Sequence, residues 1–145
     1  MAQVSVDLTA GKTGANDKVR VGIIGCGGIA NGKHLKGLRA VKDVEAVAIC
    51  DLIPERMTET KQRYPEIAGA AEYTDYKELL KDESIDCVHV CTPNRSHAFI
   101  TIDALNAGKH VICEKPMATS YEEAVAMCEA AKKNGKLLTI GYQNR

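Results

Sequence analysis

Short apolar runs alternate with amphipathic stretches along this chain from residue 18 onward. The runs are rich in Val and Ile, which is typical of strands buried on both faces of a parallel sheet. Between them, apolar residues recur at helical spacing, and Pro, Gly and Asn mark the breaks. The pattern predicts strands at residues 19–24, 44–50, 72–74, 85–91, 109–113 and 137–142, helices at residues 54–63, 75–81, 95–106 and 120–133, and a helix carrying Leu35, Leu38 and Val41.

The ends and buried faces of several helices are also predicted. Asp75 with Glu78, and Ser120 with Glu123, have the spacing of capping boxes at helix N-termini. Gly108 follows the helix at residues 95–106 and is expected to end it. The inward-facing stripes of the last two helices are predicted to include Ala98, Ile102 and Leu105, and then Ala124, Cys128 and Ala131.

Strands that alternate with helices pair in parallel through right-handed crossovers. We therefore expect an α/β fold with a doubly wound, mostly parallel sheet of the Rossmann type, in the strand order 3-2-1-4-5-6. Residues 18–145 are predicted to form this single dinucleotide-binding domain, and residues 1–17, which are polar and weakly periodic, a flexible leader. In such folds ligands bind at the carboxyl ends of the strands.

A glycine-rich turn follows the first predicted strand. Gly25, Gly27 and Ala30 give the spacing G-x-G-x-x-A. The first glycine permits a tight strand-to-helix turn, the second lets a pyrophosphate approach the backbone, and the small alanine lets the helix pack closely on the strand. The N-terminus of that helix offers unpaired N–H groups to the phosphates. The candidate phosphate-binding residues are therefore Gly25, Gly27, Gly28, Ile29 and Ala30.

An acidic residue ends the second predicted strand. Asp51 lies 51 − 30 = 21 residues after Ala30, where a carboxylate accepts hydrogen bonds from the adenine-ribose hydroxyls. Its negative charge repels a 2′-phosphate, so NAD is expected in preference to NADP. Arg56 follows within about one helical turn and softens that preference. The alternative is an ordinary βαβ unit in which Asp51 only caps a loop.

Composition excludes several classes of protein. Lys plus Arg and Asp plus Glu both number 19, so the net charge is zero and no basic surface for nucleic acid or an anionic membrane is expected. The six cysteines contain no C-x-x-C pair, which predicts reduced thiols, no metal site and a cytoplasmic protein. No signal peptide or membrane-spanning run is recognisable. His34 and His89 are interpreted as structural residues, and His110 has no predicted partner.

Two further motifs make the chain resemble the Gfo/Idh/MocA oxidoreductases. One runs from Val88 to His97 and contains T-P-N-x-x-H, and the other runs from Ala107 to Pro116 and contains A-G-K-H-V-x-x-E-K-P. The resemblance implies a nicotinamide-dependent dehydrogenase that acts on a sugar, polyol or related hydroxyl compound. It also implies that Lys115 approaches the nicotinamide and the reacting hydroxyl as a catalytic residue. The remaining cofactor-side residues implied are Thr92, Pro93, Asn94, His97 and Glu114, with Glu114 beside the nicotinamide ribose and a packing role equally open for His97.

The chain departs from the resembling family in one respect. That family has a second, α+β domain with the catalytic histidine, whereas this sequence ends at Arg145. The expectation is that the 145-residue chain binds cofactor but does not turn over substrate. We also expect a homo-oligomer, formed by pairing or exchange of the exposed strand at residues 137–142. The alternative function is a non-catalytic module that senses NAD(H) or NADP(H).

Overall fold

The computed structural model describes residues 18–142, and they contain one six-stranded parallel sheet. The expected flexible leader at residues 1–17 lies outside the described residues. The strands are β1 (Val19–Ile24), β2 (Val44–Cys50), β3 (Ala71–Tyr73), β4 (Cys87–Val90), β5 (His110–Cys113) and β6 (Leu138–Ile140). Their spatial order is β3-β2-β1-β4-β5-β6, with every neighbouring pair parallel. The predicted Rossmann order 3-2-1-4-5-6 is therefore confirmed.

Five helices connect the strands. Helix α1 (Leu35–Leu38) continues a π-helical turn at Ala30–His34, and the others are α2 (Pro54–Arg63), α3 (Tyr76–Leu80), α4 (His97–Asn106) and α5 (Tyr121–Asn134). Short 3-10 turns lie at Pro65–Ile67 and Asn94–Ser96. None of the helices within residues 18–142 has the length and apolar character that a membrane span needs.

The sheet has a separate hydrophobic cluster on each face. One face packs against helices α3, α4 and α5, and its buried members include Leu79, Leu105 and Met127. The other packs against α1 and α2, where Leu35 and Met57 are buried. Successive side chains of a strand point to opposite faces, so each central strand contributes to both clusters. This arrangement places the loops at the carboxyl ends of β1, β2 and β4 next to one another.

Most predicted helix and strand boundaries are close to the observed ones, but two predicted buried stripes each contain one exposed residue, while Leu35, Leu38 and Ala131 pack against the core as predicted. Val41 lies beyond the end of α1 and is 49% exposed, because the helix stops at Leu38. In α5 the fully buried residues are Met127 and Ala130, whereas Cys128 is exposed. The Met127 side chain packs into the cluster that contains residues of β4 and β5.

The two predicted capping boxes form only in part. Ser120 Oγ accepts a hydrogen bond from Glu123 N at 3.2 Å, as predicted, but the Glu123 carboxylate accepts from Thr119 instead. The Asp75 carboxylate accepts from Lys77 N at 2.8 Å. Each helix therefore begins at the predicted N-cap residue, but Asp75 bonds the N–H of Lys77 rather than that of Glu78, and Glu123 bonds Thr119 rather than Ser120.

Candidate functional site

A cleft of about 530 Å³ opens at the carboxyl ends of β1, β2 and β4. It lies where the strand order reverses between β1 and β4, which is the binding position expected for a doubly wound sheet. Its walls combine the glycine-rich turn, the loop after β2, the loop after β4 and one side of α4. The predicted site residues that line the cleft are Gly25, Gly27, Asp51, Arg56, Thr92 and Pro93.

Only glycine fits at the first position of the turn. Gly25 has φ of 95°, and a Cβ there would lie 2.9 Å from the carbonyl carbon and oxygen of Cys91. Its N–H donates to the carbonyl of Cys50 at 2.8 Å. The ends of β1, β2 and β4 therefore meet at this residue, and an L-residue side chain would force them apart.

The next two glycines face open space. A Cβ at Gly27 or at Gly28 would have no heavy atom within 4 Å. Protein packing therefore does not require glycine at either position, whereas close approach of a ligand to the backbone does. Ala30, by contrast, is fully buried between helix and sheet, and Ile29 is partly buried beside it. The turn thus has the shape of a phosphate-binding loop.

Asn31 closes this turn and was not singled out from the sequence. Its side-chain amide donates to the carbonyl oxygens of Cys26 at 3.0 Å and Gly27 at 3.1 Å. Its backbone carbonyl accepts a hydrogen bond from the Tyr64 hydroxyl of helix α2. An amide directly after the small alanine is a sequence signal for such a contact, since Asn side chains commonly bond nearby backbone groups.

Asp51 is a buried carboxylate at the edge of the cleft. It is 7% exposed, and its Oδ2 accepts from the Cys26 N–H at 2.9 Å. Its Oδ1 accepts from the Ile53 N–H at 2.9 Å and lies 3.7 Å from Nη1 of Arg56. The acid therefore joins the loop after β2 to the glycine turn, and each oxygen keeps lone-pair capacity for a further donor.

Exposed apolar side chains form a wall of the cleft, and the sequence analysis missed them. Leu52 is 86% exposed, Ile53 43% and Phe99 50%. Tyr76 lies beside Phe99, with ring centroids 6.3 Å apart and the rings tilted by 52°. Phe99 is the only Phe of the chain and lies off the predicted buried stripe of its helix, which is the signal that marks it. An apolar and aromatic wall suits a flat heterocyclic base.

His97 links two loops rather than lining the cleft. It is 1% exposed, and its ring nitrogens lie 2.8 Å from the carbonyl oxygen of Thr92 and 2.7 Å from that of Pro116. The loop after β4 is thereby joined to the loop after β5. The Thr92 hydroxyl accepts from Ser96 Oγ at 2.8 Å, and Asn94 is exposed at the start of the 3-10 turn.

Glu114 and Lys115 lie at the end of β5, outside the lining of the cleft. Glu114 is 7% exposed and lines a second cavity, of about 430 Å³, together with His34 and His89. Lys115 is exposed, and its backbone N–H donates to Glu114 Oε2 at 3.1 Å. The carboxylate thus faces helix α1, while the lysine side chain is on the surface.

The cysteines near the cleft are protonated thiols. Burial, and then the charge of Asp51, raises the pKa of Cys26 to about 11. Burial also raises the pKa of Cys50 to about 12. The six cysteines are all free, and within residues 18–142 no group of three or more His, Cys, Asp or Glu side chains is arranged to hold a metal ion.

Comparison with known proteins identifies the family to which this chain is similar. Residues 19–142 match a family described as "Oxidoreductase family, NAD-binding Rossmann fold". Over 129 residues the chain is 36% identical to the inositol 2-dehydrogenase of Salmonella typhimurium, covering 88% of this chain and 38% of that protein. It is 38% identical over 127 residues to the D-glucoside 3-dehydrogenase of Escherichia coli, covering 88% of this chain and 35% of that protein.

Two solved structures are similar over nearly the same residues. KijD10, a 3-ketoreductase from Actinomadura kijaniata in complex with NADP, gives a TM-score of 0.80 at 33% identity, with 87% of this chain and 39% of that one covered. The WlbA dehydrogenase from Bordetella pertussis, in complex with NADH and UDP-GlcNAcA, gives 0.80 at 32% identity, with 88% and 38% covered. The chain therefore spans less than two-fifths of the length of these four proteins.

Proposed function

Because the chain belongs to the Gfo/Idh/MocA oxidoreductase family, whose NAD-binding domain is a Rossmann fold, we propose that residues 18–145 bind NAD in the cleft. We further propose that the protein transfers a hydride between this cofactor and the CH–OH group of a sugar, polyol or related compound. The named relatives, an inositol and a glucoside dehydrogenase, support this substrate class.

The observation that carries the proposal is the contrast among the three glycines of the turn. Gly25 is required by the contact with Cys91, whereas the space above Gly27 and Gly28 is open. A pyrophosphate there would meet backbone N–H groups at the start of the helix. The residues present thus fit the cofactor that the family description names.

The acid after β2 supports NAD rather than NADP. Each oxygen of Asp51 has one backbone donor, which leaves capacity for the free ribose hydroxyls of NAD. A 2′-phosphate would bring a second negative group against this carboxylate. Arg56, 3.7 Å away and 51% exposed, offsets part of that repulsion. The apolar wall at Leu52 and Ile53 supports placing the adenine beside it.

The nicotinamide half of the cofactor would extend toward the ends of β4 and β5. Thr92, Pro93, Asn94 and the loop held by His97 would form its protein side, and Lys115 would be the catalytic residue. Bound NAD supplies the hydride acceptor. The Lys115 side chain, as a neutral amine, would accept the proton of the substrate hydroxyl as the hydride moves to NAD, and the ammonium so formed would return it in the reverse reaction.

The zero net charge supports a small-molecule substrate rather than nucleic acid, and the free thiols support a reducing, cytoplasmic location. We propose that the protein forms a homo-oligomer, with the edge strand β6 as the pairing surface.

Titration of the chain with NAD and NADP tests the site and the choice of cofactor together. We expect the Kd for NADP to be at least about tenfold higher than for NAD, because of the charge of Asp51. In Gly27→Val, a branched side chain occupies the open space over the turn, so NAD affinity should fall on the order of a hundredfold.

Gly69→Val is the matched control, because Gly69 also has no heavy atom within 4 Å of an added Cβ but lies away from the cleft. It should bind NAD like the unmodified chain, and circular dichroism should be the same for all three proteins. Undiminished binding by Gly27→Val would place the site elsewhere, and equal or tighter NADP binding would refute the preference for NAD.

A further inference from the structure

The Glu114 carboxylate makes both of its hydrogen bonds inside the protein. Its Oε1 lies 2.8 Å from Nε2 of His34, a residue of the π-helical turn 80 positions earlier. Its Oε2 accepts from the backbone N–H of Lys115 at 3.1 Å. The acid of the E-K-P motif therefore ties the start of the first helix to the backbone of the lysine that follows it.

A second histidine orders the first. Nδ1 of His89, on strand β4, lies 2.9 Å from Nδ1 of His34, and the rings meet edge to face at 71°. Burial, and then the nearby His34, lowers the pKa of His89 to about 4, so the His89 ring is neutral at pH 7. One of the two Nδ1 atoms must carry the proton of this hydrogen bond and the other must accept it.

The Glu114 carboxylate determines which nitrogen of His34 must carry a proton. An ionised carboxylate only accepts hydrogen bonds, so Nε2 of His34 carries a proton. The proton shared by the two Nδ1 atoms belongs to His89 when the His34 ring is neutral, and to His34 when both of its nitrogens carry protons. In both cases His34 Nε2 donates to Glu114, His89 is hydrogen-bonded to the other nitrogen of His34, and Lys115 N donates to the same carboxylate.

Strand β6 closes the remaining side of the carboxylate. A Cβ at Gly141 would lie 3.1 Å from Glu114 Oε1, so the absence of a side chain there makes room for the acid. The Gly141 N–H donates to the carbonyl of Cys113 at 2.8 Å, which fixes the distance between the two strand ends. Glu114 is thus held by the first helix on one side and by the end of β6 on the other.

We propose that His34, oriented by His89, is a positioning residue that fixes Glu114 and, through it, the backbone of Lys115 at the nicotinamide end of the site. The inference rests on the proposed function, because it gives Lys115 a place beside the nicotinamide. It assigns Glu114 a role inside the protein in place of a direct contact with the nicotinamide ribose.

The test measures the Kd of two ligands for each of two His34 variants of similar size. His34→Gln keeps an N–H donor near the position of Nε2, whereas His34→Met has none. NADH carries the nicotinamide, and ADP-ribose lacks it. For His34→Met we expect the Kd for NADH to rise about tenfold, the scale of one lost hydrogen bond to a charged group, with the Kd for ADP-ribose unchanged. His34→Gln should bind NADH within about threefold of the unmodified chain.

A general structural defect would weaken both ligands together in His34→Met, and that result would overturn the inference, as would an unchanged Kd for NADH. The variant Lys115→Ala adds a second check. If His34 acts through Lys115, then His34→Met should have no further effect on NADH binding in the Lys115→Ala background, and additive effects would contradict the proposal.

Nitrogen-15 NMR of the histidine rings tests the hydrogen bonds among His89, His34 and Glu114 without any ligand. At pH 8 we expect a proton on Nε2 of His34 and one proton in the hydrogen bond between the two Nδ1 atoms. An unprotonated His34 Nε2 would overturn the inference. If the unmodified chain bound neither NADH nor ADP-ribose, the proposed function would fail, while the ring protonation pattern would still decide whether this chain of donors exists.

Discussion

At the scale of single residues, burial gives the histidines of this chain different roles. His97 has both ring nitrogens against carbonyl oxygens and links two loops. His110 accepts a hydrogen bond from Leu137 N at 3.0 Å on its Nδ1, which joins β5 to the residue before β6. His89 is 6% exposed and has only the ring of His34 as a hydrogen-bond partner among the described contacts. It is therefore the histidine whose protonation opposes folding most directly.

His89 makes the stability of the fold depend on pH. Burial, then His34, lowers its pKa from 6.5 to about 4 in the folded chain. Between these values the unfolded chain binds a proton that the folded chain does not, so the free energy of unfolding should fall as the pH drops from 6.5 to about 4. The full loss is up to about 3 kcal/mol.

Urea denaturation at a series of pH values measures this effect in the unmodified chain and in His89→Asn, whose amide does not titrate. The difference in unfolding free energy between the two proteins should shrink as the pH falls through the window. A constant difference from pH 7 to pH 4 would show that His89 does not contribute.

At the scale of elements, a buried lysine connects β5 to the loop between α3 and β4. Lys109 is 5% exposed, and its Nζ donates to the carbonyl oxygens of Asp82 at 2.7 Å and Ile85 at 2.9 Å. Burial lowers the pKa of Lys109, the reverse of the effect of the nearby acids. The lysine thus holds the amino-terminal ends of β4 and β5 together, opposite the cleft.

Replacing this lysine should weaken the fold without touching the site. In Lys109→Met the two carbonyls lose a charged donor while the apolar stem is kept, so the free energy of unfolding should fall by about 2 kcal/mol. NAD affinity should not change. Lys133→Met on the exposed face of α5 is the matched control and should lie within about 0.5 kcal/mol of the unmodified chain. Equal losses in the two variants would contradict the role of Lys109.

At the scale of the whole molecule, β3 and β6 are the two edge strands of the sheet that residues 18–142 form. Beside β6, Leu137 is 38% exposed and Thr139 is exposed. An edge strand with apolar neighbours is a template for pairing with another chain. We therefore expect the 145-residue chain to self-associate through β6.

Light scattering of the purified chain checks this expectation. Thr139→Lys adds a charge at the edge and should shift the particle toward a monomer, because charged residues on edge strands oppose pairing. Thr58→Lys, at an exposed position of α2, adds the same charge away from the edge and should leave the mass unchanged. If the unmodified chain is a monomer, the expectation that it self-associates through β6 is wrong.

The sequence by itself determined the features that depend on neighbouring residues. Alternating strands and helices allow few parallel topologies, so the strand order followed from the pattern. The tight turn at Gly25 and the close packing of Ala30 followed from their spacing, because each permits few residue types, and their part in cofactor binding stays a prediction. Asp51 was placed at the cleft because the end of β2 lies beside the end of β1 in this order.

Only the tertiary structure decided which side chains meet over long separations. Glu114 contacts His34 across 80 residues, and no periodicity of either segment encodes that pair. In α5 the structure buries Met127, whereas the sequence pattern predicted Cys128. Hydrophobic patterns record which face of an element is buried to within about one residue, whereas contacts between elements depend on how their surfaces pack. That packing brings His34 within hydrogen-bond distance of both His89 and Glu114.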